Sequence, residues 1–214
     1  MKLVPLGDQA VLAYLPDEPA AVRFAAAVRT AAPPWLHDVV PAYASVGVFF
    51  DADQLGTGEV IAWLQHLATR VAGDELASSR GKLHEIPVCY DVAPDMERVC
   101  KHTGLSAEDV IRLHTSTEFT VYAIGFVPGF PYLGYLPPEL CGVPRLPSPR
   151  VRVEPGSVGL TGRQTGIYPL ARPGGWNLIG RTPLTIVDVA AGYFPLRVGD
   201  RVRFFRVAGL TFNV

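Results

Sequence analysis

Lysine, cysteine and long apolar runs are all scarce in this sequence of 214 residues. The three lysines are Lys2, Lys82 and Lys101. Because none of them lies in the second half of the chain, that half cannot form a Walker-type phosphate loop, which needs a lysine after its glycines. The three cysteines are Cys89, Cys100 and Cys141. Their odd number and wide spacing argue against a disulfide framework and a CxxC zinc site, so we expect no metal site.

The sequence contains no run of about 18 apolar residues, so it predicts no membrane span. Its start, "MKLVPLGDQAVLAYLPDE", lacks the long apolar stretch and the small-residue cleavage site of a signal peptide. We therefore expect a cytoplasmic protein. Hydrophobic residues make up 49% of the chain and charged residues 18%, which is enough material for one large domain or two small ones.

Positive and negative charges are distributed unevenly along the chain. Residues 1–119 carry nine basic and sixteen acidic side chains, whereas residues 120–214 carry ten arginines and four acidic side chains. This asymmetry indicates an anion-attracting site in the second half, and chance together with partner-facing surface is the alternative. We do not expect a nucleic-acid surface, because the arginines alternate with turn-forming residues and do not follow one helix.

The first 80 residues read as a small α+β unit. Two short strands precede a helix from Glu18 to Ala31, a strand pair follows, and a second helix covers residues 58–72. With a strand near "LHEIPVCY" as the closing element, this order predicts a ferredoxin-like domain over residues 1–78. The polar segment "GDELASSRGK" at 73–82 is the expected linker, which places the domain boundary between residues 73 and 85.

The remainder of the chain, residues 82–214, reads as mostly β. Two short helices are predicted near Pro94–His102 and Ala107–Thr115, the second with Ser106 as its N-cap. Strands are predicted at "KLHEIPVCY", "EFTVYAIGF", "LTIVDV", "RVRFFRV" and "LTFNV". Short strands at such regular spacing favour a barrel over a sandwich.

Residues 125–175 contain 20 of the 41 glycines and prolines of the chain. Disordered segments share that composition but are poor in aromatic residues, and this segment is rich in them. Glycine and proline here are expected to fix turns that direct aromatic and guanidinium groups to one place. Such a surface suits a planar or carboxylate-bearing small molecule, or a protein partner.

Within this segment the candidate binding residues lie on separate loops. Arg145 and Arg150 belong to "PRLPSPR", where prolines limit the reach of each guanidinium; a solvated loop is the alternative. Gln164, Thr165 and Tyr168 belong to "RQTGIYP", and Trp176 follows the two glycines of "PGGW". Turn chemistry and core packing are the alternatives for these four residues. We expect Arg145, Arg150, Gln164 and Tyr168 to converge on one cleft that recognises an anion.

Two further features have both a functional and a structural interpretation. His114, near the end of a short helix, is the candidate catalytic general base, and a favourable contact with the helix C-terminus is the alternative. The glycines of "GSVGLTGRQTG" can form a backbone nest for phosphate, and turns at a barrel corner are the alternative.

The run "GFVPGFPYLGYL…PR…PR…GSVGLTGRQTGIYP…PGGWNLIGRTPL" closely resembles the PxpB/KipI family, also called allophanate hydrolase subunit 1. The resemblance implies a ferredoxin-like N-terminal domain and a cyclophilin-like β-barrel. It also implies PxpC-like (allophanate hydrolase subunit 2) and PxpA-like partner subunits.

The activity that the resemblance implies is that of an ATP-dependent 5-oxoprolinase complex, which opens 5-oxoproline to glutamate. ATP with magnesium is then a co-substrate of the complex, and no tightly bound cofactor is expected. We expect a non-autonomous enzyme subunit with a small anionic substrate. The alternatives are a KipI-type inhibitor of a sensor histidine kinase, which has the same fold, and a subunit of an allophanate or urea amidohydrolase.

Overall fold

The structure, a computed structural model, describes residues 1–73 and 81–209, and the chain divides into two compact units, Met1–Arg80 and Gly81–Val214. Most of the predicted linker at 73–82 lies outside the described residues, as does the predicted strand at 210–214. In the described part of the chain, no helix is long and apolar enough to cross a membrane.

The first unit is a four-stranded sheet with two helices. Its elements are β1 (Lys2–Pro5), β2 (Ala10–Tyr14), α1 (Glu18–Ala31), β3 (Leu36–Ala42), β4 (Ser45–Phe50) and α2 (Thr57–Gly73). The strands are antiparallel in the order β1-β2-β4-β3. The order of strands and helices is the one that the sequence predicts.

Helix α1 has the bounds predicted from its sequence because local chemistry fixes its start. The Asp17 side chain accepts the backbone N–H of Ala20 at 2.7 Å and so satisfies a free amide of the first turn. The apolar positions Ala21, Phe24 and Val28 are buried on one face. They pack in the core of this unit with the buried valines of β3 and β4.

The predicted closing strand of the first unit is wrong. Residues Leu83–Val88 do form a strand, β5, but it pairs in parallel with a strand of the second unit. In the first unit, β1 already occupies the sheet position beside β2, and β4 occupies the other side. The backbone groups of β2 are therefore satisfied without a strand that follows α2.

The second unit contains the remaining elements: β5 (Leu83–Val88), α3 (Met96–Thr103), α4 (Ala107–Ser116), β6 (Glu118–Ile124), β7 (Pro131–Gly134), a short 3₁₀ helix (Pro138–Leu140), β8 (Arg150–Val153), β9 (Ser157–Thr161), β10 (Gln164–Ile167), β11 (Arg172–Gly174), β12 (Asn177–Arg181) and β13 (Arg201–Arg206). Seven strands are paired in the order β5-β13-β6-β7-β10-β9-β12, and β8 pairs with β11 separately. All pairs are antiparallel except β5 with β13.

The paired strands of the second unit do not form a closed barrel. Within the described part of this unit, β5 pairs only with β13 and β12 only with β9. A single bridge, in which Cys89 and Arg181 exchange backbone hydrogen bonds of 2.8 and 3.0 Å, links the residue after β5 to β12. The structure therefore confirms a mostly β unit with few helices, and the predicted barrel is not seen as a closed ring.

The predicted strand "LTIVDV" at 184–189 is also wrong. Residues 184–187 have no strand partner, and Asp188 forms only an isolated bridge with Tyr193. Ile186 and Val187 are nevertheless buried in the core of this unit. The apolar pattern reflects side-chain packing, because core burial selects apolar residues whether or not the backbone joins a sheet.

Candidate functional site

A cleft of about 270 Å³ opens among the loops of the second unit. It is lined by Phe126, Phe130, Tyr132, Arg145, Pro149, Tyr168, Pro173, Gly174, Gly175 and Trp176. Five of these residues are aromatic, one is a cation and none is acidic. The structure thus brings together three of the predicted site residues, Arg145, Tyr168 and Trp176. The volume lies just below the 300–1,000 Å³ or so of pockets for drug-sized ligands, so the cleft suits a smaller molecule.

Edge-to-face aromatic contacts hold the walls of the cleft in place. The ring of Phe130 lies 5.0 Å from that of Tyr132, 5.2 Å from that of Tyr168 and 5.4 Å from that of Trp176, each closer to perpendicular than to parallel. Such pairs are favourable because the positive edge of one ring meets the negative face of the other. Phe130, Tyr168 and Trp176 are buried, so packing within the protein holds these walls.

Two glycines make this packing possible. A Cβ on Gly166 would lie 2.8 Å from the Pro131 carbonyl oxygen and 3.1 Å from the rings of both Phe130 and Trp176. A Cβ on Gly174 would lie 2.5 Å from the Tyr168 hydroxyl. Gly166 was predicted to belong to a phosphate nest or a turn, but it lies in strand β10, and what it supplies is space for the aromatic walls.

The loop that carries Arg145 is anchored from beneath by Asn177. The fully buried Asn177 amide donates to the carbonyls of Pro144 at 3.0 Å and Leu160 at 3.1 Å, and its oxygen accepts from Arg98 at 2.9 Å. Sequence reasoning missed Asn177, although it directly follows Trp176 in "PGGWN". Its role depends on residues far away in the chain, which the local pattern does not reveal.

Arg145 has no acidic partner among the described residues, unlike several other arginines in residues 120–214. Five of the ten arginines after residue 120 form ion pairs: Arg150, Arg152, Arg201, Arg203 and Arg206. These pairs neutralise much of the positive balance that the sequence shows. Within residues 1–73 and 81–209, no carboxylate forms an ion pair with Arg145, so its guanidinium faces the cleft without a compensating charge.

The tyrosine hydroxyls of the cleft stay protonated at neutral pH. Burial raises the pKa of both Tyr132 and Tyr168. The positive charge of Arg145 opposes the shift of Tyr132, and the backbone hydrogen bond of Trp176 and then Arg145 oppose that of Tyr168. A protonated phenol donates a hydrogen bond. The cleft therefore offers one exposed cation and two hydroxyl donors beside aromatic rings, a set that suits a small carboxylate.

Arg150, predicted to bind the anion, has an anion of its own. Its Nη2 lies 2.5 Å from Asp95 Oδ1, and Asp95 Oδ2 accepts the Leu178 N–H at 2.6 Å. The Asp95 side chain is only 8% exposed. This interaction leaves Arg150 as a positioning residue that fixes β8 against β12, so its predicted role as the group that recognises substrate is not supported. Sequence reasoning missed Asp95, which lies 55 positions away.

His114, predicted as the catalytic base, is fully buried in the core. The Thr165 hydroxyl donates to Gly159 O at 3.0 Å, so it can only accept from His114, whose Nε2 lies 2.9 Å away. The Tyr90 hydroxyl then donates to Nδ1 at 2.8 Å. Burial lowers the pKa of His114 to about 3, and the ring stacks on Phe204. A neutral imidazole with no solvent access is neither a base for a substrate in the cleft nor a charged helix cap.

The remaining predictions in "GSVGLTGRQTG" need a similar correction. Ser157–Thr161 and Gln164–Ile167 are the paired strands β9 and β10, joined by a turn at Gly162 with φ 57°. A paired hairpin does not present the row of free N–H groups that a phosphate nest requires. Gln164 is half-buried at the start of β10, and neither it nor Thr165 lines the cleft.

A larger hollow of about 540 Å³ lies in the first unit, but its lining carries little chemistry. Apolar side chains from α1 and neighbouring segments dominate it, and Arg23 is its one charged residue. Among the described residues, no group of three or more His, Cys, Asp or Glu side chains is arranged to hold a metal ion. The smaller cleft with Arg145 is therefore the candidate functional site.

Comparison with known proteins places the chain in a family. The model of the carboxyltransferase domain, subdomain C and D, matches residues 1–194. The chain therefore belongs to the carboxyltransferase subdomain C and D family. Within it, the B subunit of the 5-oxoprolinase of Bacillus subtilis (strain 168) is 38% identical over 222 residues, covering 95% of this chain and 91% of that protein. The resemblance to the PxpB/KipI family is confirmed.

Two solved structures share the fold. The crystal structure of TTHA0988 matches with a TM-score of 0.80 and 38% identity, covering 94% of this chain and 40% of that longer chain. This chain thus spans less than half of TTHA0988. The Kluyveromyces lactis urea carboxylase matches with a TM-score of 0.72 over 96% of this chain and 22% of its own, at 17% identity. That second likeness concerns the fold alone.

Proposed function

We propose that this chain is a non-autonomous subunit of an ATP-dependent 5-oxoprolinase and that the cleft of the second unit binds the substrate. One observation carries the proposal: Arg145, with no acidic partner among the described residues, faces a cleft whose other walls are aromatic rings and hydroxyl donors. The name of the Bacillus subtilis relative supports the choice of substrate.

The substrate, 5-oxoproline, has the chemistry that this cleft recognises. It is a small five-membered lactam with one carboxylate. A guanidinium binds a carboxylate through two parallel hydrogen bonds, which fixes orientation as well as position. The lactam ring is apolar on both faces and fits between aromatic walls, while the protonated hydroxyls of Tyr132 and Tyr168 can donate to its oxygens.

In the proposed reaction, one water adds to the lactam carbonyl and the ring C–N bond breaks to give glutamate, while a second water is consumed as ATP is converted to ADP and phosphate. The described residues of this chain supply binding and orientation, which reduce the entropic barrier by holding the ring in one pose. The cleft does not fit ATP, because it offers a triphosphate only one cation. We therefore assign ATP and its magnesium, and the chemical steps that use them, to sites completed by PxpC-like and PxpA-like partner subunits.

The test uses the assembled complex, produced by co-expression with both partner subunits. Arg145→Ala should lower kcat/KM for ATP-dependent conversion of 5-oxoproline to glutamate by about ten- to a hundredfold, since a charge-assisted hydrogen bond is worth about 1.5–3 kcal/mol. The matched control is Arg172→Ala, an exposed arginine on β11 that does not line the cleft. Equal activity of the Arg145→Ala complex and the wild type, or equal losses in both variants, would overturn the proposal.

The alternative function, inhibition of a sensor histidine kinase, requires a protein-docking surface and gives no reason for an arginine at the edge of an aromatic cleft. We retain the ferredoxin-like and cyclophilin-like assignments as proposals about the fold. The antiparallel sheet of the first unit, in which β4 lies between β2 and β3, supports the former. The Cys89–Arg181 bridge between the two ends of the strand path supports the latter.

A further inference from the structure

Phe126 has an unusual backbone conformation at the rim of the cleft. Its φ is 66°, and in the described part of the chain only two other non-glycine residues, Ala32 and Tyr43, have positive φ. In this region the Cβ of an L-residue crowds the backbone, which makes a bulky aromatic residue a true outlier. A glycine at this position would remove the strain, so the presence of phenylalanine calls for a reason in the side chain.

The surrounding turn holds Phe126 firmly in this conformation. The Val127 N–H donates to Gly125 O at 2.7 Å, and the Phe130 N–H donates to Val127 O at 3.1 Å. On the far side of the turn, a Cβ on Gly129 would overlap the side chain of Val187, so the loop is seated against the core. The strained residue is therefore part of a rigid turn.

The conformation places an exposed ring beside the buried aromatic walls. Phe126 is 59% exposed, whereas Phe130 and Tyr168 are each 2% exposed. Its ring centre lies 5.6 Å from that of Phe130 and 6.4 Å from that of Tyr168, at nearly right angles to both. Phe126 is thus the most exposed aromatic wall of the cleft, so covering its ring with a ligand removes the most apolar surface from water.

We propose that Phe126 is the specificity-determining residue that makes this cleft select a closed lactam ring over its open-chain product. The inference rests on the proposed function, in which Arg145 holds the carboxylate. The flat lactam ring can then cover the exposed ring of Phe126. In glutamate the same atoms carry an ammonium group and a second carboxylate. Pressing that second carboxylate against the negative face of the Phe126 ring would remove it from water without a partner.

The test compares Phe126→Gly and Phe126→Tyr in the assembled complex. Phe126→Gly should raise KM for 5-oxoproline about tenfold, leave kcat within about twofold, and leave the inhibition constant of glutamate nearly unchanged, so that discrimination between ring and product falls. Phe126→Tyr keeps the ring and should retain the wild-type KM. Because glycine relieves the positive φ, the thermal unfolding midpoint of Phe126→Gly should not fall.

The matched control is Tyr43→Gly, the same exchange of an aromatic residue for glycine at a positive φ of 55°, in the first unit and outside the cleft. It should leave KM and glutamate inhibition unchanged. An unchanged KM in Phe126→Gly, alongside a loss in Arg145→Ala, would overturn this inference and leave the proposed function standing. Equal weakening of 5-oxoproline and glutamate would also overturn it. If Arg145→Ala is fully active as well, both proposals fail.

Discussion

Arg150 and Asp95 form an ion pair whose carboxylate also holds the backbone of β12. One Asp95 oxygen lies 2.5 Å from Arg150 Nη2, and the other accepts the Leu178 N–H at 2.6 Å. The pair connects β8, the start of α3 and β12, and so supports the wall of the cleft from behind. The ion pair contributes to the stability of the fold and not to ligand binding, because Arg150 does not line the cleft.

Arg150→Ala should lower the free energy of unfolding by about 3 kcal/mol, because it leaves the buried Asp95 carboxylate without its charged partner. Urea denaturation measures the loss. Arg152→Ala is the control: Arg152 pairs with Glu154 on the surface, where solvent screens the interaction, so its stability should hardly change. If both variants are equally stable, the Asp95 pair is not structural. If Arg150→Ala keeps its stability but loses substrate affinity, Arg150 is a binding group after all.

Stability should fall with acid because His114 is buried in its neutral form. The pKa of His114 is about 3 in the folded protein and 6.5 in the unfolded chain, so below pH 6.5 only the unfolded chain takes up this proton. The contribution is complete above pH 6.5 and is lost as pH falls towards 3, on the order of 3–5 kcal/mol in total. His114→Gln should flatten the dependence of unfolding free energy on pH, whereas the exposed His66→Gln should keep the wild-type slope. Parallel curves for all three proteins would contradict the assignment.

The Thr165 hydroxyl should contribute more to the free energy of unfolding than the Thr165 methyl group. Thr165→Val leaves the His114 Nε2–H and the Gly159 carbonyl without this partner in the core, at a cost of about 1–3 kcal/mol in unfolding free energy. Thr165→Ser keeps the hydroxyl and should lose less than Thr165→Val. Chemical denaturation of the two variants decides the point. A valine variant at least as stable as the serine variant would mean that these hydrogen bonds contribute little.

Gly166→Ala should damage the cleft through crowding. The added Cβ would meet the Pro131 carbonyl and the rings of Phe130 and Trp176, all at 3.1 Å or less, so the aromatic walls must shift. The thermal midpoint and the affinity for 5-oxoproline should both fall. Gly58→Ala is the control, since a Cβ there, in the first turn of α2, meets nothing within 4 Å. A Gly166→Ala protein with wild-type affinity would show that the walls can adapt.

Local chemistry made several elements predictable from the sequence. Helix α1 was predicted from its apolar spacing and α4 from Ser106 as its N-cap, because both patterns are contained in one short stretch of sequence. Arg145, Tyr168 and Trp176 were predicted to be site residues because prolines and glycines restrict where their loops can point. The structure places all three on one cleft.

The failures have a common physical cause, which is a partner distant in the chain. The sequence around Arg150 does not predict its ion pair with Asp95. The sequence around Trp176 does not predict that Asn177 binds the Pro144 carbonyl. His114 is different, because the sequence does predict its burial. Val110 and Ile111, four and three residues earlier, lie on the same helical face. A histidine on an apolar face is a core residue unless a cleft opens beside it.

The parallel pair of β5 and β13 has a consequence for how the protein is made. β13 lies between β5 and β6, yet it is the last strand described. About a hundred residues separate β5 from β13, so at about 5–20 residues per second the ribosome needs roughly ten seconds to deliver the second after the first. During that time the nascent β5 and the growing sheet lack the strand that joins them, whereas the first unit has all of its own strands. Translation thus leaves the half that carries the cleft without one of its strands longest, and a chaperone that shields β5 until β13 has left the ribosome would raise the yield of this half selectively.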